Sequence, residues 1–220
     1  MAITSGFEPE EGGSIPSAGA NFMIIEKDYY TQDTVTENLS ERDLQARLIF
    51  SVVVAGKNAK FANNVIDKLF CQTKQLPFNV VRQWIKEGSL RRRLKTARSG
   101  NYNKLVNCLP KLIELDPRTA TLDELETVKG IGPKTSRFYH LWIGKNTRCA
   151  ALDVHILKFL RALGYDAPKN TPTGKKYKEL EEAFLTICEQ RGISPNQLDA
   201  DVWLAYSSKD NAKIKDLIQS

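Results

Sequence analysis

Paired cysteines and histidine are what this sequence has least of. Its four cysteines stand at 71, 108, 149 and 188 with no Cys-x-x-Cys pair. That spacing argues against a zinc or iron–sulfur centre, and predicts reduced, buried thiols acting as small apolar side chains. Two histidines, His140 and His155, cannot build a metal site alone. No metal and no cofactor is expected. No stretch approaches the roughly 18 consecutive apolar residues of a membrane span. The opening MAITSGFEPEEGG has neither the basic nor the apolar segment of a signal peptide. A cytoplasmic protein without a membrane partner is expected. There is no internal repeat, no Walker-type glycine loop, no Ser/His/Asp triad and little strand-like alternation.

What is present is helical periodicity and positive charge. At 220 residues, 41% of them hydrophobic, the chain can bury a core without staples, as one compact domain or two lobes sharing a cleft. A net charge of +6 suits a nucleic-acid partner without proving one. Residues 1–36 read as an N-terminal segment, partly mobile, rich at first in Gly, Ser, Pro and Glu, with a short apolar run over 22–25. The helical domain covers 37–220. Ser40 and Asp43 form a capping box, with Leu39 and Leu44 as a staple. Leu44, Leu48, Ile49, Val52 and Val53 then predict a central buried helix ending near Ala55-Gly56. After the polar loop Lys57-Asn58-Ala59-Lys60 comes a helix with Phe61, Val65, Ile66 and Leu69.

Residues 79–94 read as one basic amphipathic helix carrying Val80, Val81, Trp84 and Ile85. The run LRRRLKTAR over 90–98 has five basic residues in nine, followed by a Gly/Asn loop with Tyr102 at its centre. Further on, a helix over 154–163 stops at Gly164 and a two-proline loop follows. Helical patterns return over 177–190 and 196–207, the latter after Ser194-Pro195 and bearing Asp199, Asp201, Trp203 and Tyr206. The lysine-rich 209–215 reads as a solvated end.

The most informative stretch is 125–160, LETVKGIGPKTSRFYHLWIGKNTRCAALDVHILKFL. Thr121 and Glu124 make a second capping box ahead of Leu122, Leu125 and Val128. Gly130 ends that helix, as a glycine that tolerates positive φ can. Ile131 plugs inward, Gly132 makes a second bend, and Pro133 suits the first turn of a helix bearing Phe138, Leu141 and Trp142. The result is a helix-hairpin-helix over 121–142. Such a hairpin presents backbone N–H groups that can bind phosphate without reading sequence. Lys134 stands two residues after Gly132, and Asp153 nineteen after Lys134. An amine nucleophile with a carboxylate partner would look like this. So would an exposed phosphate contact and a helix cap.

The string GIGPKTS followed by LDVH resembles the helix-hairpin-helix DNA glycosylases of the endonuclease III superfamily. The closest likeness is to archaeal-type 8-oxoguanine DNA glycosylase/AP lyases. Gly130, Ile131, Gly132, Lys134 and Asp153 fall on that family's motif. The loop GKNTRCAAL departs from it, having Gly144 but no proline. The resemblance is specific over 121–160, suggestive over 40–110 and faint elsewhere. With a single cysteine in its last seventy residues, the chain is similar to the members without an iron–sulfur cluster.

The resemblance implies an all-α, two-lobed fold with duplex DNA in a cleft between the lobes. The barrel lobe would cover about 45–155; the other would combine the N-terminal segment with about 156–220. A lysine at 134 implies a bifunctional, monomeric glycosylase/AP lyase acting on double-stranded DNA. Lys134 would attack C1′ of a flipped nucleotide, expel the base and cut the strand by β-elimination. Burial and a helix N-terminus would help supply its neutral form. Asp153 would stabilise charge on the sugar or assist proton transfer. Gly130, Gly132, Arg98, Lys104 and His155 would contact DNA. Asn58, with Lys57 second, would fill the gap left by the base, although Asn58 alone also reads as a helix cap. Tyr102, Trp203 and Tyr206 would line the base pocket, although Trp203 alone also reads as core. The best substrate is 8-oxoguanine. An oxidised pyrimidine, a bulky modified base of foreign DNA, or a non-catalytic hairpin DNA-binding protein are the alternatives.

Overall fold

A computed structural model describes residues 39–145 and 148–219. The expected N-terminal segment 1–36, with its apolar run over 22–25, lies outside them. Among the described residues every regular element is a helix. In order they are α1 Glu41–Val53, α2 Ala59–Phe70, α3 Pro77–Lys86, α4 Leu90–Thr96, α5 Tyr102–Leu112 and α6 Leu122–Thr127. There follow α7 Pro133–Trp142, α8 Val154–Ala162, α9 Gly174–Arg191, α10 Pro195–Ser207 and α11 Asn211–Gln219. The all-α class expected from the sequence is what forms.

The helix starts are made locally. Each helix leaves its first N–H groups without an internal partner, and short polar side chains supply the acceptors. Ser40 Oγ accepts from the Asp43 N–H at 3.1 Å, while Asp43 accepts from the Ser40 N–H at 3.3 Å. Thr121 and Glu124 repeat the arrangement at α6. Helix α1 is buried continuously over 44–53, including Gln45, Arg47 and Ser51, because it packs against α2, α4's neighbour α3, α5 and α7. The buried apolar side chains gather into two main clusters. One draws on residues between 44 and 143, in α1 to α7. The other runs from Ala150 through α8, α9 and α10. Leu141, Cys149 and Ala151 form a small third group where the chain passes from one to the other.

The structure corrects two details of the sequence reading. The single helix expected over 79–94 is two, α3 and α4, separated at Gly88. There the Ser89 N–H reaches the Trp84 carbonyl at 2.8 Å and the Gly88 N–H reaches that of Ile85 at 3.0 Å. Gly88 has φ +65°, so this is a Schellman ending, which glycine accommodates without strain. Cys71 is exposed, whereas the other three cysteines are buried. The lysine-rich end is solvated, as expected, and enters helix α11, which buries no residue.

Candidate active site

The hairpin forms between α6 and α7. Val128 leaves the helix in an extended conformation, and the Ile131 N–H bonds its carbonyl at 2.9 Å. Val128 and Ile131 are buried, so the turn is plugged into the larger cluster. Gly130 sits at φ +102°, and a Cβ there would lie 3.2 Å from the side chain of Lys104. The Lys104 stem therefore packs on the hairpin. Burial, above all, and the nearby Lys134 cation hold the Lys104 amine below its ordinary range. Gly132 is the N-cap of α7 with no side-chain cap. A Cβ on it would meet nothing within 4 Å, so this face of the turn is open.

Lys134 stands on the first turn of α7, with its Nζ 4.8 Å from the Phe138 ring centroid. Asp153 is the N-cap of α8. Its Oδ1 accepts from the N–H groups of His155 and Ile156 at 2.7 and 2.9 Å. The cap that the residue pattern predicts is thus present, and it leaves Oδ2 without a part in the cap.

Lys134 and Asp153 both line one cavity of about 580 Å³. Its aromatic lining is Phe50, Phe138, Trp142 and Trp203. Trp142 is braced by Phe50 at 4.8 Å and by Phe138 at 5.6 Å between ring centroids. Trp203 is half-buried rather than a core residue, and His155 meets it edge-on at 6.4 Å. Asp199, one turn before Trp203 and 5% exposed, also lines the cavity. A polar carboxylate in an aromatic enclosure is costly unless it has partners to bond. Among the lining residues, Asn63 Oδ1 and His155 Nδ1 are buried without a hydrogen-bond partner among the described residues.

The loop between α1 and α2 forms another part of the wall through Gly56, Lys57 and Asn58. Asn58 caps α2, its Oδ1 accepting from the Phe61 N–H at 2.7 Å. The cap and the cavity position coexist. Lys57 places its ammonium 5.4 Å from the Phe61 ring centroid and close to Gly100, joining this loop to the one before α5.

The cavity thus brings together Lys134, Asp153, Lys57, Asn58, His155 and Trp203. It does not take in Gly130, Gly132, Arg98, Lys104, Tyr102 or Tyr206. Arg98 takes the left-handed position ending α4, at φ +57°. Tyr102 packs on the larger cluster and Tyr206 on the smaller. Phe50, Asn63 and Thr171 line the cavity without having been singled out in the sequence. Phe50 had no signal of its own, being one apolar side chain in a helix buried all round.

The sequence model of the helix-hairpin-helix 8-oxoguanine DNA glycosylase family matches residues 25–193. The chain belongs to this family. The match covers the hairpin, Lys134 and Asp153, and stops before α10, the helix of Asp199 and Trp203. No solved structure matches the chain. Membership makes this glycosylase a base-excising repair protein with DNA as its partner. Among the described residues no helix is long and apolar enough to cross a membrane, and no group of three His, Cys, Asp or Glu side chains is placed to hold a metal ion.

Proposed function

We propose that the glycosylase is bifunctional, excising 8-oxoguanine from double-stranded DNA and then cutting the strand as an AP lyase. The observation that carries this reading is that Lys134 and Asp153, from separate helices, line the same aromatic-walled cavity. A flipped base needs an apolar slot to replace the stacking it loses, at a cost of a few kcal/mol.

In this reading the hairpin N–H groups at Gly130 and Gly132, with Arg98, Lys104 and His155, hold phosphates. Asn58 and Lys57 occupy the space vacated in the duplex. Phe138, Trp142 and Trp203 flank the base, and the Asp199 carboxylate accepts hydrogen bonds from its N–H edge. Tyr102 and Tyr206 lie outside the cavity lining and are not assigned to the base. Lys134, as the free amine, attacks C1′, and the C1′–N9 bond breaks with its electrons leaving on the base. Asp153 stabilises the cationic sugar. Loss of a proton from nitrogen lets the C1′–O4′ bond break, O4′ taking up a proton, to leave a protonated Schiff base; loss of a C2′ proton then forms the C2′=C3′ double bond as the C3′–O bond breaks and the 3′ phosphate leaves. The protein acts as a monomer, with its two buried clusters as the two lobes on either side of the DNA.

The test is borohydride trapping on duplexes carrying 8-oxoguanine, thymine glycol, uracil, a bulky modified cytosine, an abasic site or no lesion. A Lys134-dependent adduct on the 8-oxoguanine duplex, lost in Lys134→Gln with DNA binding retained, is the expected result. An adduct on another base would replace the substrate. Full strand cleavage by Lys134→Gln would overturn the mechanism.

A further inference from the structure

Residues 150–153 carry the chain from one buried cluster into the other with no helix or strand of their own. Ala150 and Leu152 are fully buried, so their backbone polar groups need partners inside the protein. Side chains provide them. The Ala150 N–H donates to Glu181 Oε1 at 3.0 Å. The Tyr177 hydroxyl donates to the Ala150 carbonyl at 2.7 Å and accepts from the Leu152 N–H at 3.2 Å. Thr171 Oγ1 donates to the Leu152 carbonyl at 2.8 Å. The Asp153 N–H then closes a γ-turn onto the Ala151 carbonyl at 2.6 Å.

Tyr177 and Glu181 are four residues apart on α9 and therefore share a face. They are 1% and 9% exposed. Glu181 also reaches α7. Its Oε1 accepts from Arg137 Nε at 2.7 Å and its Oε2 from the Arg137 NH2 group at 3.2 Å. Arg137 is three residues after Lys134 on α7, and it also pairs with Glu126 of α6. One carboxylate thus bonds both the helix that carries Lys134 and the segment that delivers Asp153.

We infer that Tyr177 and Glu181 are positioning residues, acting through the backbone of residues 150–152 and through Arg137 to hold the Asp153 carboxylate in register with Lys134. This inference rests on the catalytic reading of Lys134 and Asp153. The physical reason is the lack of any regular element before Asp153. A cap residue is fixed by its own helix on one side only. On the other side its approach is set by whatever the preceding backbone bonds to, here one hydroxyl and one carboxylate of α9. Displacing a reacting group by about 1 Å can cost roughly 100-fold in rate.

The test uses Tyr177→Phe in the full chain. It keeps the ring, and with it the face that the Arg137 guanidinium covers at 5.1 Å, and removes only the hydroxyl. Single-turnover base release and borohydride adduct formation are followed on an 8-oxoguanine·cytosine duplex, and adduct formation on an abasic-site duplex in parallel. Tyr177→Phe should slow them roughly 10- to 100-fold, with DNA affinity within about threefold of wild type. In an Asp153→Asn background the same change should add nothing further, because the group it positions is already gone. A purely structural role would instead multiply the two losses. Thr171→Val, at an exposed loop position, should show the same dependence on Asp153 to a smaller extent. It carries the test alone if Tyr177→Phe does not fold. Wild-type rates in Lys134→Gln or Asp153→Asn would overturn the catalytic reading itself. Losses in both, combined with wild-type rates in Tyr177→Phe and Thr171→Val or with multiplicative losses, would overturn the positioning role alone.

Discussion

The Arg47 guanidinium lies 4.8 Å from the Trp142 ring centroid, and its NH1 group donates a 3.0 Å hydrogen bond to the carbonyl of the same residue. Arg47 is 7% exposed on α1, and Trp142 closes α7 at the cavity wall. Arg47→Met keeps the apolar stem and removes both contacts. A charged hydrogen bond and a desolvated cation–π contact together predict a loss of about 2–4 kcal/mol. Urea denaturation measures it, and a loss below about 1 kcal/mol would show that the stem alone does the packing.

The two hairpin glycines should separate folding from DNA contact. Gly130→Ala places a Cβ at φ +102° and 3.2 Å from Lys104, which should cost about 1–3 kcal/mol of stability. Gly132→Ala meets nothing within 4 Å, and its φ of −110° suits any residue. It should leave the melting temperature near wild type while weakening DNA binding, because the methyl group stands where the phosphate backbone would approach. Unchanged DNA affinity in Gly132→Ala would remove this face of the turn from the interface.

His140 predicts an acid sensitivity. It is 2% exposed, with Nε2 donating to the Ala120 carbonyl at 2.9 Å. Burial first, and the Lys145 cation second, push its pKa down to about 4 from the ordinary 6.5. On acidification the unfolded chain takes up this proton before the folded one. The contribution is fully present above pH 6.5 and falls away as pH drops towards about 4. From pH 7 to 5 the loss is about 2 kcal/mol. His140→Gln should flatten the pH dependence of the unfolding free energy by that amount over this interval; an unchanged slope would place the titration elsewhere.

The thiols should divide one against three. Cys71 is exposed, while Cys108, Cys149 and Cys188 are buried. Burial raises Cys108 to about 11 and the other two to about 12, so they stay protonated and slow to react. A thiol reagent should label one cysteine in the native protein and four in denaturant. Rapid labelling of Cys149 in the native state would mean that the segment before Asp153 opens.

The sequence by itself determined the all-helical class, the hairpin, and the caps at Ser40, Asn58, Thr121 and Asp153. Each of these rests on residues within about four positions of one another, where backbone geometry leaves side chains little choice of partner. It was legible, too, that Lys134 and Asp153 belong to one constellation, through the motif around them. The break at Gly88 is written in it too, because Leu90 stands nine residues from Val81, half a turn out of helical phase, with a glycine between them; the expectation of one helix over 79–94 ran past that signal. Only the tertiary structure decided that Phe50, a member of the larger buried cluster, also lines the cavity, that Trp203 lines it while Tyr102 and Tyr206 do not, and that Asp153 is approached through Tyr177 and Glu181. The hydrogen bonds that hold the segment before Asp153 join residues 19 to 31 apart in the chain. A helical pattern states which side chains share a face, and packing alone decides what that face meets.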